Sequence, residues 1–215
     1  MSSQEELPMR ASELGYDITK LGLAVIPRAI RDMKIRRVDF ESDYNEYQSV
    51  RIWMEFQSQI LPSEERYRPA SLIVAPCDFR GVSTSAIRVC PLKCKPDIVV
   101  VDLLQTLVKH DMQYFDFIGL DGCRDFVTQA VYQFREAGYV ETSIDKSPWI
   151  EEGFPVSDAF AAMGLRFQGE PRGLPFACPI DAGRFGKYTR VVTSAMPYVG
   201  TWRARELEEE QLGWE

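Results

Sequence analysis

Cys123 directly follows a glycine at the start of an amphipathic run, "GLDGCRDFVTQAVYQFREAGYV" (119–140). A thiol in the first turn of a helix lies beside backbone N–H groups with no acceptor in the helix, and the dipole there favours a thiolate. That is the setting of a cysteine nucleophile, with the N–H groups of Gly122–Arg124 as an oxyanion hole. The position has a second reading. Cys123 precedes Phe126 and Val127 by three and four residues, which puts it on their apolar stripe, and cysteine packs well as a small hydrophobe.

A thiol nucleophile needs a proton acceptor. The chain has one histidine, His110, at the end of the preceding helical pattern and beside Asp111. A helix C-terminus stabilises imidazolium, which suits an ion pair with a thiolate, although a histidine at a helix end is also a common surface feature. A histidine-free alternative has Tyr114, Asp116 or Asp121 moving protons. Asp121 is also placed to cap the Cys123 helix.

Substrate contacts are expected from Arg51, Trp53 and Glu55, which alternate along one face of "SVRIWMEFQ", and from Tyr114, Asp116 and Arg124. Carboxylates at Glu55, Asp116, Asp121, Asp125, Glu151 and Glu152 offer a pocket for an amine or guanidinium, and a solvated surface is the simpler reading for most of them. Metal binding is not expected. Cys90 and Cys94 flank "PLK" with Cys77 upstream, which falls short of the paired short spacings of a structural zinc site. Cys178 has no evident partner. "GVSTSA" lacks the lysine and glycine spacing of a phosphate loop, and "RGLPFACPIDAGRFG" lacks a dinucleotide pattern. No cofactor is implied.

The 215 residues carry a net charge of −7, with 45% hydrophobic and 27% charged residues. This is the composition of a globular protein with enough apolar material for a core. The acid surplus argues against general phosphate-backbone binding and suits a neutral or cationic ligand. No run is apolar enough to span a bilayer, and the N-terminus has no export signal, so no membrane partner is expected. The five cysteines then read as reduced thiols in the cytoplasm.

These residues have to be positioned by an α+β fold: an antiparallel sheet packed against two central helices. Strands are expected at 34–40, 49–57, 70–79, 85–92 and 187–196, with "RGVST" turning a hairpin. "KPDIVVVDLLQTLVKHD" (95–111) reads as a helix with Asp97 at its start and Ile98, Val101, Leu104 and Val108 on its apolar face. "MQYFDFIGL" is a short extended connector. The Cys123 helix buries Phe126, Val127, Ala130, Val131 and Phe134 and stops at Gly138, and a short helix covers 157–164. Residues 169–187 form a long Gly/Pro loop. Residues 1–20 form an arm, 21–202 a single domain and 203–215 a charged tail.

"DGCRDFVTQAVYQFREAGYV", preceded by "VVVDLLQTLVKHDMQYFDF", resembles a fungal family of small proteins of unknown function. The likeness extends to the strand "VRIWMEF" and the late Gly200-Thr201-Trp202. The pattern is also similar to the permuted papain-like fold of the NlpC/P60 proteins and lecithin:retinol acyltransferases. That resemblance implies a papain-like core with Cys123 at the nucleophile position. The family's histidine position falls near Val50–Trp53, where this chain has none.

Two functions follow as expectations. The first is a biosynthetic enzyme of secondary metabolism that uses Cys123 for acyl or aminoacyl transfer or condensation on a small molecule. Its most specific form is a tRNA-dependent synthase of arginine-containing cyclodipeptides, with "KIRRVDF" and Arg66–Arg68 as the basic patch a tRNA donor needs. The second is a catalytically inactive papain-like scaffold that binds a ligand or a protein partner.

Overall fold

The computed structural model describes residues 15–33, 37–38, 49–56, 67–77, 92–118, 122–144, 157–167 and 175–198. The expected hairpin turn at 80–84, most of the 85–92 strand and the 203–215 tail lie outside the described residues. The strands are β1 (Tyr16–Asp17), β2 (Arg37–Val38), β3 (Ser49–Phe56), β4 (Tyr67–Cys77), β5 (Leu92–Cys94), β6 (Phe115–Ile118), β7 (Val140–Ile144), β8 (Leu165–Phe167), β9 (Pro175–Ala177) and β10 (Arg184–Phe185). The helices are α1 (Ile18–Leu21), α2 (Arg28–Arg31), α3 (Val100–Lys109), α4 (Cys123–Glu136) and α5 (Ala159–Met163). All named strand pairs are antiparallel, so the mixed α and β composition and the antiparallel sheet expected from the sequence are present.

The main sheet is organised around β4. On one edge β3 pairs with it from Ser49↔Cys77 to Phe56↔Ala70. The other edge is shared: β6 takes Tyr67–Ala70 and β1 takes Ile73–Val74. The Thr19 hydroxyl fills the break between them. It accepts from Leu72 N at 2.8 Å and donates to the Gln113 carbonyl at 3.2 Å, so neither backbone group is stranded. The sheet thus includes Tyr16–Asp17, at the end of the segment read as an arm. β10 pairs with β6 on its far edge, and β2–β5–β7 and β8–β9 form two smaller sheets.

Period-two alternation divides the main sheet into two faces, and Ser71, Ile73 and Ala75 are buried on one as Ala70, Leu72 and Val74 are on the other. Ala70, Leu72, Val74, Phe115, Phe117 and Phe185 join the larger core with Leu103, Leu104 and Leu107 of α3 and Phe126, Ala130 and Phe134 of α4. Phe115 is the hub, edge-on to Phe117, Phe126 and Phe185 at 5.4, 5.6 and 4.8 Å. This gives "MQYFDFIGL" a larger role than connection, since its Phe115–Ile118 core is an internal strand.

α3 begins five residues later than the sequence pattern suggests. Asp97 occupies a left-handed turn (φ 69°), and the cap comes from inside the helix, where Asp102 Oδ2 accepts from Val99 N at 2.9 Å. Its buried stripe is Val100, Leu103, Leu104 and Leu107, one step round from the expected face. α4 stops as its sequence dictates. Gly138 adopts φ 74°, and Tyr139 N and Gly138 N bond the carbonyls of Phe134 and Arg135 at 2.9 and 2.8 Å.

α4 is buried on more than one side. Beyond the main core, Val131 joins a second cluster with Leu92, Ile144, Phe160 and Met196. A third stripe, facing residues 183–198, is polar. The expected strand at 187–196 is absent: these residues form no strand and are held by α4 side chains instead of a ladder.

Candidate functional site

Cys123 is exposed at the first residue of α4, while Cys94 is buried and Cys178 half-buried. Its stripe companions Phe126 and Ala130 are in the core, so the apolar register is kept and only its first member reaches solvent. Gly122 precedes it in a left-handed conformation, φ 116°, with no side chain capping the helix. The first amide to find a helical acceptor is Phe126 N, bonded to Gly122 O at 3.0 Å. The amides of Cys123, Arg124 and Asp125 are therefore free of intrahelical acceptors beside the sulfur.

Arg124 and Asp125 face the chain that crosses this helix end. Arg124 Nη1 donates to the carbonyls of Met163 and Cys178 at 2.8 and 2.7 Å, and Nη2 donates to Pro179 O at 3.0 Å and Cys178 Sγ at 3.5 Å. Its charge meets only neutral acceptors among the described residues: three backbone carbonyls and the Cys178 sulfur. Asp125, one of the carboxylates the sequence offers either to a pocket or to solvent, is fully buried. Its Oδ2 accepts from Gly183 N at 2.8 Å and from Arg190 Nη2 at 2.7 Å, and its Oδ1 accepts from Tyr198 Oη at 2.6 Å.

The network continues one turn down the helix. Gln129 Nε2 donates to Val191 O at 2.8 Å and Tyr198 Oη at 2.7 Å, and its Oε1 accepts from Val191 N at 2.9 Å and Tyr188 Oη at 2.8 Å. Gln133 Nε2 donates to Tyr188 Oη at 2.9 Å. Sequence reasoning missed this constellation. Its signal was a polar stripe at 125, 129 and 133, spaced four apart beside the apolar stripe.

Burial pushes the phenols of Tyr198 and Tyr188 above their ordinary value of 10. The Asp125 charge adds to the rise at both. A phenol raised in the folded state stabilises it fully below the unfolded value, and that contribution is lost as pH rises past it. Unfolding free energies are therefore expected to fall above about pH 10, by up to about 1.4 kcal/mol per pH unit for each phenol. Urea titrations from pH 8 to 11 check this. A Tyr198→Phe chain with an unchanged alkaline slope would contradict it.

The remaining predicted residues fall elsewhere. His110 caps the end of α3, and its ring stands edge-on to Tyr188 at 6.3 Å. Tyr188 is bonded to Gln133, ten residues along α4 from Cys123 and about 15 Å in helical rise. No hydrogen bond joins His110 to Cys123 among the described residues. Asp121 lies outside them. Arg51, Trp53 and Glu55 stand opposite Ala75, Ile73 and Ser71 in register, positions on the sheet face away from α4; their side chains lie outside the described residues. Asp116 shares that face, and its Oδ2 accepts from Arg184 Nε at 2.9 Å. Tyr114 is exposed. Arg51, Trp53, Glu55 and Asp116, four of the six expected substrate positions, are thus grouped on one sheet face, while the sulfur and Arg124 belong to a helix packed on the other.

Among the described residues, no three His, Cys, Asp or Glu side chains gather to hold a metal ion, and no helix is long and apolar enough to cross a membrane. Neither a curated protein nor a solved structure matches the chain. Residues 42–185, more than half of its length and including α3, α4 and the whole of the β3–β4–β6 sheet, match the family described as Domain of unknown function (DUF7770), and the chain belongs to that family.

Proposed function

We propose that Cys123 is the nucleophile of an acyl- or aminoacyl-transfer or condensation step in small-molecule biosynthesis. The observation that carries this reading is the exposure of Cys123 next to three amides without intrahelical acceptors. The sulfur bonds the acyl carbon, the donor leaves with the thiol proton, and the first-turn amides hold the oxyanion. An acceptor amine then attacks the thioester and releases the thiol. Arg124, whose cation has no acid partner among the described residues, favours a donor with an anionic leaving portion. The same reading takes the family to be fungal, the core to be papain-like and the setting to be cytoplasmic, with a small-molecule or tRNA-borne acyl donor and no cofactor.

The test is alkylation by iodoacetamide at neutral pH, with modified peptides mapped by mass spectrometry. Cys123 is expected to react at least about tenfold faster than a cysteine in an unstructured peptide. Metabolite profiles of a gene deletion are expected to be restored by the wild-type chain and not by Cys123→Ser. Reaction at the free-thiol rate, with full restoration by Cys123→Ser, would remove the nucleophile. The second reading, an inactive papain-like scaffold, then stands. It is favoured by the position of the single histidine, which lies against Tyr188 and not the sulfur.

A further inference from the structure

The polar stripe of α4 holds residues 186–198 in the way a groove holds a peptide. Asp125, Gln129 and Gln133 lie in line along the helix, spanning about 12 Å. The Gln129 amide takes both the N–H and the carbonyl of Val191, a pairing that reads backbone and ignores the side chain. The chain opposite alternates as an extended ligand does: Tyr188 and Arg190 are buried, while Lys187, Thr189 and Val192 are exposed. Arg190 enters a socket made by Asp125 and the Gly183 carbonyl. Tyr188 bonds the two glutamines, and Tyr198 bonds Asp125 and Gln129.

Among the described residues, no strand ladder holds this segment. Among the described residues, its backbone bonds outside α4 are Gly186 N to Tyr114 O at 2.9 Å, Ile180 N to Pro197 O at 2.8 Å and a local turn at 193–198, while Tyr188 and Met196 pack into the two cores. It also begins where the family match ends, at Phe185, whereas α4 lies wholly inside that match. The stripe therefore lies within the family match and residues 186–198 beyond its end.

We propose that the polar face of α4 is a peptide-reading groove. Residues 186–198 are its resident occupant in cis, exchangeable for another extended segment with an aromatic residue two positions before an arginine. The aromatic hydroxyl meets the glutamines, the guanidinium meets Asp125, and Gln129 fixes the register. The proposal does not depend on chemistry at Cys123. Occupation in cis makes the groove regulated: a competing segment has to displace a tethered one, whose effective concentration is about millimolar.

The test uses a fluorescent peptide of residues 186–198 and its counterpart with alanine for the arginine. Anisotropy is read against full-length wild type and full-length Arg190→Ala, whose own segment has lost its anchor. The Arg190→Ala chain is expected to bind the first peptide and not the second, and wild type to bind the first at least about a hundredfold more weakly. A folded Arg190→Ala chain that ignores the peptide, or takes both equally, overturns the proposal. Native-state hydrogen exchange on wild type covers the case in which that variant does not fold. The Val191 amide, held by a side chain, is expected to exchange at least about tenfold faster than the β4 amides of Leu72–Val74. Equal protection would mean that the segment opens only with the whole domain, and it would then be no separable occupant.

Discussion

An Asp125→Ala chain is expected to lose about 3–5 kcal/mol of folding stability, the cost of leaving a buried charge without its partner. The carboxylate serves three groups: Arg190, Gly183 N and Tyr198 Oη. Arg190 and Asp125 are 2% and 0% exposed at their side chains, so water does not replace what alanine removes. Against a typical total of 5–15 kcal/mol the loss is large, and it corresponds to a fall in Tm of roughly 6–20 °C. Asp125→Asn separates charge from hydrogen bonding: it keeps an acceptor for Gly183 N and removes the anion paired with the guanidinium, so most of the loss is expected to persist. Adding Arg190→Met to Asp125→Ala is expected to recover part of it, because both members of the buried pair are then gone. Thermal and urea melts of the four chains read this directly. A loss below about 1 kcal/mol for Asp125→Ala would mean that residues 183–198 are held by something other than this network.

The elements that were legible in the sequence are those whose partners are themselves nearby or apolar. β3 shows in its alternation, and α4 shows in its stripe and in the glycine that ends it. The exposure of Cys123 was not legible. Its register on the apolar stripe is real, but the core stops short of the helix's first residue, and sequence spacing carries no information on where a neighbour ends. Asp125, Gln129 and Gln133 were harder still. A polar stripe on a helix ordinarily faces water, and only Arg190, Val191 and Tyr198, some sixty to seventy residues on, turn it into an interior. The same cause hid the character of 187–196. Its β-branched residues and alternation are those of a strand, and the structure keeps the alternation but supplies helix side chains in place of a neighbouring strand. β6 was under-read because "FDFI" is short, and its central position depends on β4 and β10 closing on it from both sides.

Gly183→Ala is expected to cost about 2–4 kcal/mol, toward and beyond the upper end for an added methyl in a packed core. A Cβ at that position lies 2.1 Å from Phe115 Cζ and 2.6 Å from Cε2. The ring has little room to yield, since it is 2% exposed and wedged among Phe117, Phe126 and Phe185. The backbone has little room either, because Gly183 N donates to Asp125 and Gly183 O accepts from Arg190. Gly186→Ala is the control. Its Cβ meets Tyr114 Cβ at 3.1 Å in an exposed position, where a shift of a few tenths of an ångström relieves the contact, and a loss under about 1 kcal/mol is expected. Pairing Gly183→Ala with Phe115→Leu makes space at the clash, and the double variant is expected to be more stable than the sum of the single losses by at least about 1 kcal/mol. The strain also has a direction. A Cβ on Gly122 would approach Gly183 Cα at 3.1 Å, so the start of α4 rests against the residue being enlarged. A Gly183→Ala chain that folds is therefore expected to alkylate Cys123 at a changed rate with Cys178 unaffected, and additive losses together with an unchanged Cys123 rate would show that the two backbones are not in firm contact.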